Sequence, residues 1–324
     1  MKHLLFACAL CAALLSCLPA VSKTPAHARP PVAREVAITI DDLPVNAAHR
    51  PVADWKPMTR KLLRALTTHK VPAIGFVNEG KLYEGDQLRA DRVELLRMWL
   101  RAGLELGNHT YAHPDLHNTP LPEFQQGVLR GEVVTKKLLR EKGREMRFFR
   151  HPFLHTGRSL DVRDQFTRFL SEHGYRVAPV TIDNNDYIFA RAYDNAWGRG
   201  DKEMMRRIGA AYVPYMESYF DFYEKQSVAL VGYEMRQTLL IHANFLNADY
   251  LAGLLDRLRA RGYKFISLEQ ALTDKAYQLP DEWTGAGGIS WLHRWALTRK
   301  VDKSFFAGEP DVPAFVMKEY GAGQ

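Results

Sequence analysis

Five short stretches, in order along the chain, hold side chains able to do hydrolytic chemistry. Thr39-Ile40-Asp41-Asp42 ends in adjacent carboxylates, His109-Thr110-Tyr111-Ala112-His113 spaces two imidazoles four residues apart, and Arg150-His151-Pro152-Phe153 brings a fixed positive charge. Asp183-Asn184-Asn185-Asp186-Tyr187 and Leu240-Ile241-His242 add two acids and another histidine. Neighbouring carboxylates repel unless a cation sits near them. Histidines at i and i+4 meet on one side of a helical turn and can share a metal, although Pro114 works against a continuing helix. One aspartate beside them completes a two-His, one-carboxylate set with positions left for water and substrate. An arginine among carboxylates can hold one of them ionised and oriented. A histidine whose pKa is raised by a nearby aspartate is a candidate acid or base. Taken singly, each stretch has a plainer reading as a solvated turn, a capping histidine or a structural ion pair. His117, His151 and His155 are rival metal ligands outside the paired spacing.

These residues need elements to carry them. Short apolar runs at Val36–Ile40, Ala73–Val77, Leu104–Leu106, Met146–Phe149, Val177–Ile182, Thr238–Ile241 and Phe265–Leu268 read as strands. Between them lie helix-period stretches, such as Trp55, Met58, Leu62 and Leu66, or Leu251, Leu254 and Leu258. The alternation predicts an α/β fold with a parallel sheet, and a closed β/α barrel suits the length. Pattern alone leaves an open doubly wound sheet as the alternative. In a barrel the active site lies at the C-terminal strand ends, where the five stretches fall. The long connection from Asp183 to about Gln237 holds Tyr212, Tyr215, Tyr219, Phe220, Phe222 and Tyr223. It predicts a helical insertion near 188–237 that packs its aromatics on the barrel, with a sugar-stacking platform as the sharper reading. Residues 273–324, with Trp283, Trp291 and Trp295, read as a packed C-terminal extension.

The 324 residues include 44 Lys+Arg and 37 Asp+Glu, 46% hydrophobic and 25% charged residues, which is ordinary globular composition. No basic run interleaves with aromatics, so nucleic-acid binding is not expected. HExxH, GxSxG and the phosphate-binding GxxxxGK[ST] are absent from the sequence. Lys2, His3 and the apolar run from Leu4 to Leu18 read as a signal peptide over residues 1–28, cut after Ala28 or after Ala20. Leu14-Leu15-Ser16-Cys17 resembles a bacterial lipobox, which would acylate Cys17 and tether the protein to a membrane face. Cys8, Cys11 and Cys17 all lie in this leader, so the exported chain would have no disulfide, catalytic thiol or Cys-ligated zinc. A periplasmic or extracellular location is expected, and no later run is long enough to span a membrane.

In their order and spacing the five stretches resemble the motifs of the NodB-type polysaccharide deacetylases, carbohydrate esterase family four: T-F-D-D, H-[ST]-x-x-H, R-x-P-[FY], D-x-x-D-W and L-x-H. The resemblance covers roughly residues 34–272. It implies a distorted (β/α) barrel of seven or eight strands with an open groove at its top. It implies one divalent metal, usually zinc with cobalt, nickel or iron as alternatives, bound by Asp42, His109 and His113. It implies Asp41 as general base held by Arg150, and His242 as general acid tuned by Asp186. The Phe153 N–H would help stabilise the oxyanion, and Tyr187 and Leu240 would line the acyl pocket. The implied function is removal of N-acetyl groups from amino sugars of a chitin-, peptidoglycan- or poly-N-acetylglucosamine-like polymer. Alternatives are an acetyl esterase on an O-acetylated polysaccharide, a hydrolase of a non-sugar amide, and a non-catalytic carbohydrate-binding protein. The sequence departs from the family pattern in Leu43 for a glycine, in Tyr187 for a tryptophan, and in the long connection before His242. Oligomeric state is not legible in the sequence.

Overall fold

Eight of the ten residues of Arg34–Leu43 are buried, as expected of a parallel strand covered on both faces. The computed structural model describes residues 34–47 and 49–322, so the leader with its lipobox-like segment lies outside the described residues. The elements run β1 (Arg34–Leu43), α1 (Trp55–Thr68), β2 (Ile74–Val77), β3 (Tyr83–Glu84), β4 (Gln87–Leu88), α2 (Ala90–Arg101) and β5 (Glu105–Asn108). Then come α3 (Leu121–Arg130), α4 (Val133–Arg140), β6 (Phe148–Phe149), α5 (Leu160–Glu172), β7 (Arg176–Val177), α6 (Asp186–Gly198) and α7 (Lys202–Val231). The chain ends with β8 (Gln237–His242), α8 (Phe245–Ala260), β9 (Tyr263–Phe265), α9 (Leu268–Ala271), α10 (Trp291–Thr298) and α11 (Ala314–Gly321).

Seven strands form one parallel sheet in the order β7-β6-β5-β2-β1-β8, with β9 also paired to β1; β3 and β4 make a separate hairpin. The sheet curls until its ends meet. Thr181 and Ile182, just beyond β7, donate to the Thr238 carbonyl of β8 at 3.1 and 3.0 Å, and Leu240 N–H returns a bond to Ile182 at 3.2 Å. The fold is therefore a distorted (β/α) barrel. All seven predicted strands are present, but three have shifted. Only Phe148–Phe149 and Arg176–Val177 pair as strands within the fourth and fifth runs, and the last strand is Tyr263–Phe265. The Val177–Ile182 run spans the seam of the barrel, so most of it crosses between strands instead of lying along one.

Alternate strand positions face the inside of the ring. Ala37, Ile74, Phe76, Phe148 and Ala178 form a small core cluster there, joined by Leu268 and Ala271 of α9. Continuing the same alternation upward gives Thr39 and Asp41, His109, Arg150, and Leu240 and His242. The larger core lies between sheet and helices, where Leu62 and Leu66 of α1 and Leu251, Leu254 and Leu258 of α8 are fully buried. In α7, Tyr212, Tyr219, Phe220 and Tyr223 are also buried, so the aromatic run is mainly core. The C-terminal segment is sewn to the seam: Trp291 N–H donates to Val180 at 2.7 Å and Ser290 Oγ to Thr181 at 2.7 Å.

Candidate active site

Asp41 and His242 are direct partners in the β1–β8 register, so the sheet itself sets a carboxylate beside an imidazole. Successive side chains on a strand point oppositely, yet Asp42 also faces the groove. The β1–β2 register slips between Ile40 and Leu43, and Asp42 takes a left-handed conformation, φ 69°. Asp and Asn tolerate that region better than most residues. Leu43, in place of the family's glycine, is buried and its side chain packs over Gly75.

His109 and His113 are brought together by a loop, not by the helical turn expected from their spacing. Thr110 and His113 have φ of 68° and 56°, strained values of the kind that collect at functional sites. Local bonds hold them: Thr110 N–H to Asn108 Oδ1 at 2.7 Å, His113 N–H to Thr110 Oγ1 at 3.0 Å, and Asn78 Nδ2 to the His109 carbonyl at 2.6 Å. Glu79 reinforces this loop. Its N–H meets the Thr110 carbonyl at 3.3 Å, while its fully buried carboxylate accepts from Val134 and Thr135 N–H, at 3.0 and 2.6 Å, in the first turn of α4.

The ligand atoms of Asp42, His109 and His113 lie within 4.8 Å of one another. His109 Nδ1 bonds the Arg150 carbonyl at 2.8 Å, which leaves Nε2 with a lone pair facing Asp42 Oδ1 at 4.0 Å. Burial pushes the pKa of both imidazoles down and keeps them neutral, the form a metal needs. Burial opposes ionisation of Asp42, but the positive charges of Lys81 and His242 outweigh it and hold the carboxyl well below the usual range. Lys81 Nζ is 3.3 Å from Asp42 Oδ1, and Asn46 Nδ2 donates to Oδ2 at 2.6 Å. Two neutral imidazoles and an ionised carboxylate fit a divalent cation of the zinc type.

Beside this set, Asp41 Oδ1 is buried without a hydrogen-bond partner, and Oδ2 lies 3.6 Å from Arg150 Nη1 and 3.7 Å from His109 Nε2. Burial raises the Asp41 pKa to about 6, against the pull of Arg150 and His242. Arg150 is itself fully buried, with Nη2 donating to Thr39 Oγ1 at 2.8 Å and its guanidinium over the Phe76 ring. Asp186 opens α6 fully buried and accepts from His242 Nδ1 at 2.7 Å and from Asn247 Nδ2 at 2.9 Å. Burial works against a charged His242, but Asp186 outweighs it and raises the pKa to about 9. Phe153 (φ 56°, 54% exposed), Tyr187 and Leu240 line the same groove, whose volume is roughly 490 Å³.

A sequence model described as polysaccharide deacetylase matches residues 28–178, the part of the chain that carries the first three of the five stretches. Over that stretch the chain is similar to the polysaccharide deacetylases, the family whose motifs the five stretches resemble. A chitin deacetylase from Colletotrichum lindemuthianum is 24% identical over 257 residues, 76% of this chain and 82% of that protein. Among solved structures, a peptidoglycan deacetylase from Bacillus subtilis matches at 20% identity and a TM-score of 0.45, over 77% of this chain and 95% of that one. A pseudoenzyme of the same esterase family from Bacillus anthracis matches at 16% identity and a TM-score of 0.46, over 75% of this chain and 66% of that one.

The structure adds residues that sequence reasoning missed. Lys81 and Asn46 reach Asp42, Asn247 and Asn244 reach Asp186, and Glu309 walls the groove beside Asp183. None carried a signal, because each comes from a loop or helix whose approach to the groove is fixed only by the tertiary fold. His117, His151 and His155 lie apart from the Asp42–His109–His113 group, although His151 and His155 still reach the groove.

Proposed function

We propose that the chain is a metal-dependent hydrolase that removes N-acetyl groups from amino sugars of a polysaccharide. The observation that carries this reading is the gathering, in one groove, of the Asp42–His109–His113 set with two proton-handling pairs, Asp41–Arg150 and His242–Asp186. A divalent cation, zinc by the character of the donor set, would polarise the acyl carbonyl and acidify a water when bound there. Asp41, ionised above about pH 6, takes the proton of the attacking water, and Arg150 keeps that carboxylate oriented. The Phe153 N–H meets the developing oxyanion, while Tyr187 and Leu240 flank the acyl methyl. His242, cationic below about pH 9, donates to the departing sugar nitrogen, and Asp186 stabilises its charge.

The reading is tested by measuring acetate release from chitin oligomers, peptidoglycan and acetylxylan, with and without a chelator. Release from an N-acetylated polymer that a chelator abolishes is the expected result. Release from acetylxylan alone makes the chain an esterase, and binding of sugar without release from any polymer makes it a carbohydrate-binding protein.

We also infer export, from the charged and apolar run at Lys2–Leu18. No helix among the described residues is long and apolar enough to cross a membrane. Protein recovered from the producing cells should begin near Val21 or Arg29, or at an acylated Cys17. An intact Met1 contradicts the inference.

A further inference from the structure

Beyond His113 the loop carries metal-binding side chains that the proposed reaction does not use. Asp115 and His117, with His155 from the turn after β6, each offer a donor atom, and the three atoms lie within 4.8 Å of one another. We propose that Asp115, His117 and His155 form a second site for a divalent transition cation, at the rim of the groove and separate from the Asp42–His109–His113 set.

An ion pair alone does not account for this cluster. His155 Nδ1 lies 2.6 Å from Asp115 Oδ1, and a pair of that kind needs only one imidazole. Yet the His117 ring stacks on the His155 ring, centroids 3.8 Å apart and planes 6° from parallel. The protonation of His117 is set by its partners. Its ring bonds the Ala286 carbonyl, while Nδ1 is buried and has no partner. The bonded nitrogen is therefore Nε2 and carries the hydrogen, so the lone pair is on Nδ1. Carbonyl-bonded on one nitrogen and open on the other is the arrangement of a metal-ligating histidine. Asp115 is oriented in the same manner: Oδ1 accepts from His117 N–H at 2.8 Å and Oδ2 from Asn118 Nδ2 at 2.6 Å.

Two imidazoles and one carboxylate favour zinc, cobalt, nickel or copper over magnesium or calcium. Three protein ligands leave room for water or a substrate oxygen. The Phe153 ring stands between the two sets, 4.4 Å from the His113 ring and 5.7 Å from that of His155. An ion on Asp115, His117 and His155 would clamp the loop after His113 to the turn that carries Phe153.

The test is to strip metal from the full protein, titrate with Zn²⁺, and count bound ions by elemental analysis. Circular dichroism checks that each variant is folded. The expected result is two ions per chain in the unaltered protein, with one lost in His117→Ala and one lost in Asp115→Asn, a variant that keeps the turn's acceptor oxygen. His113→Ala should lose the other ion and keep this one. A single ion per chain, lost in His113→Ala and retained in both His117→Ala and Asp115→Asn, overturns the proposal.

Discussion

Both oxygens of Asp186 are committed to His242: Oδ1 lies 2.7 Å from the ring Nδ1, and Oδ2 accepts the backbone N–H at 2.9 Å. The carboxylate therefore fixes the ring orientation as well as its charge. Asn247 bonds the same carboxylate, and Tyr212 Oη donates to Asn247 Oδ1 at 2.6 Å, so the pair is held by a buried chain reaching into α7.

Asp186→Asn removes the charge that raises His242 while burial continues to lower it. The alkaline limb of the kcat/KM profile, set near pH 9 or somewhat lower with a cation nearby, should move down by about one to two pH units. A pH–rate profile of the two proteins decides this, and an unmoved limb assigns the limb to another group.

The same pair affects stability in metal-free protein. The folded pKa of His242, about 9, exceeds its unfolded value of 6.5, so its contribution is complete below pH 6.5 and is lost as pH rises through about 9. The loss is about 3.5 kcal/mol at most, because each pH unit between the folded and unfolded values is worth about 1.4 kcal/mol. The Tm of metal-free protein should fall across this window, and Asp186→Asn should flatten the fall.

The adjacent aspartates should separate in their effects. Asp41→Asn cannot accept a proton, so kcat should drop by about 10² to 10⁴ with zinc still bound. Asp42→Asn weakens an anionic ligand and should lose zinc, with added metal restoring part of the rate. Zinc content and kcat in both variants check the assignment; metal loss in Asp41→Asn instead would reverse the two roles.

Gly288 of the C-terminal segment packs so closely on the Phe153 carbonyl that an added Cβ would overlap its oxygen. Gly288→Ala should push the Phe153 turn and lower kcat at least tenfold, at a stability cost of about 1–3 kcal/mol, without changing zinc content. Gly287→Ala meets only Ile289, at 3.7 Å, and should leave kcat unchanged. Equal rates in the two variants would detach Phe153 from the reaction.

Much of this was legible because the barrel places chemistry by counting. Steps of two along strands put Thr39 and Asp41, or Leu240 and His242, on one face, and apolar runs marked where those strands lay. The alternation could not foretell that Asp42 turns back through a left-handed bend, since one residue's φ leaves no periodic trace. Nor could it foretell that the His109–His113 spacing would close as a loop, because that depends on Asn78 and Glu79 arriving from β2. Glu309 lies 126 positions beyond Asp183, yet both line the groove, a proximity that only the packing of the C-terminal segment creates.

Glu79 joins three parts of the chain: the end of β2, the carbonyl of Thr110 beside the two histidines, and the first turn of α4. Such shared anchoring couples the opening of the three parts. Amide exchange at Val134 and Thr135 would then report on the order of a metal-binding loop whose sequence lies more than twenty residues away. A cation bound at Asp42, His109 and His113 would slow exchange in α4 without touching it, and Glu79→Gln would break that correspondence.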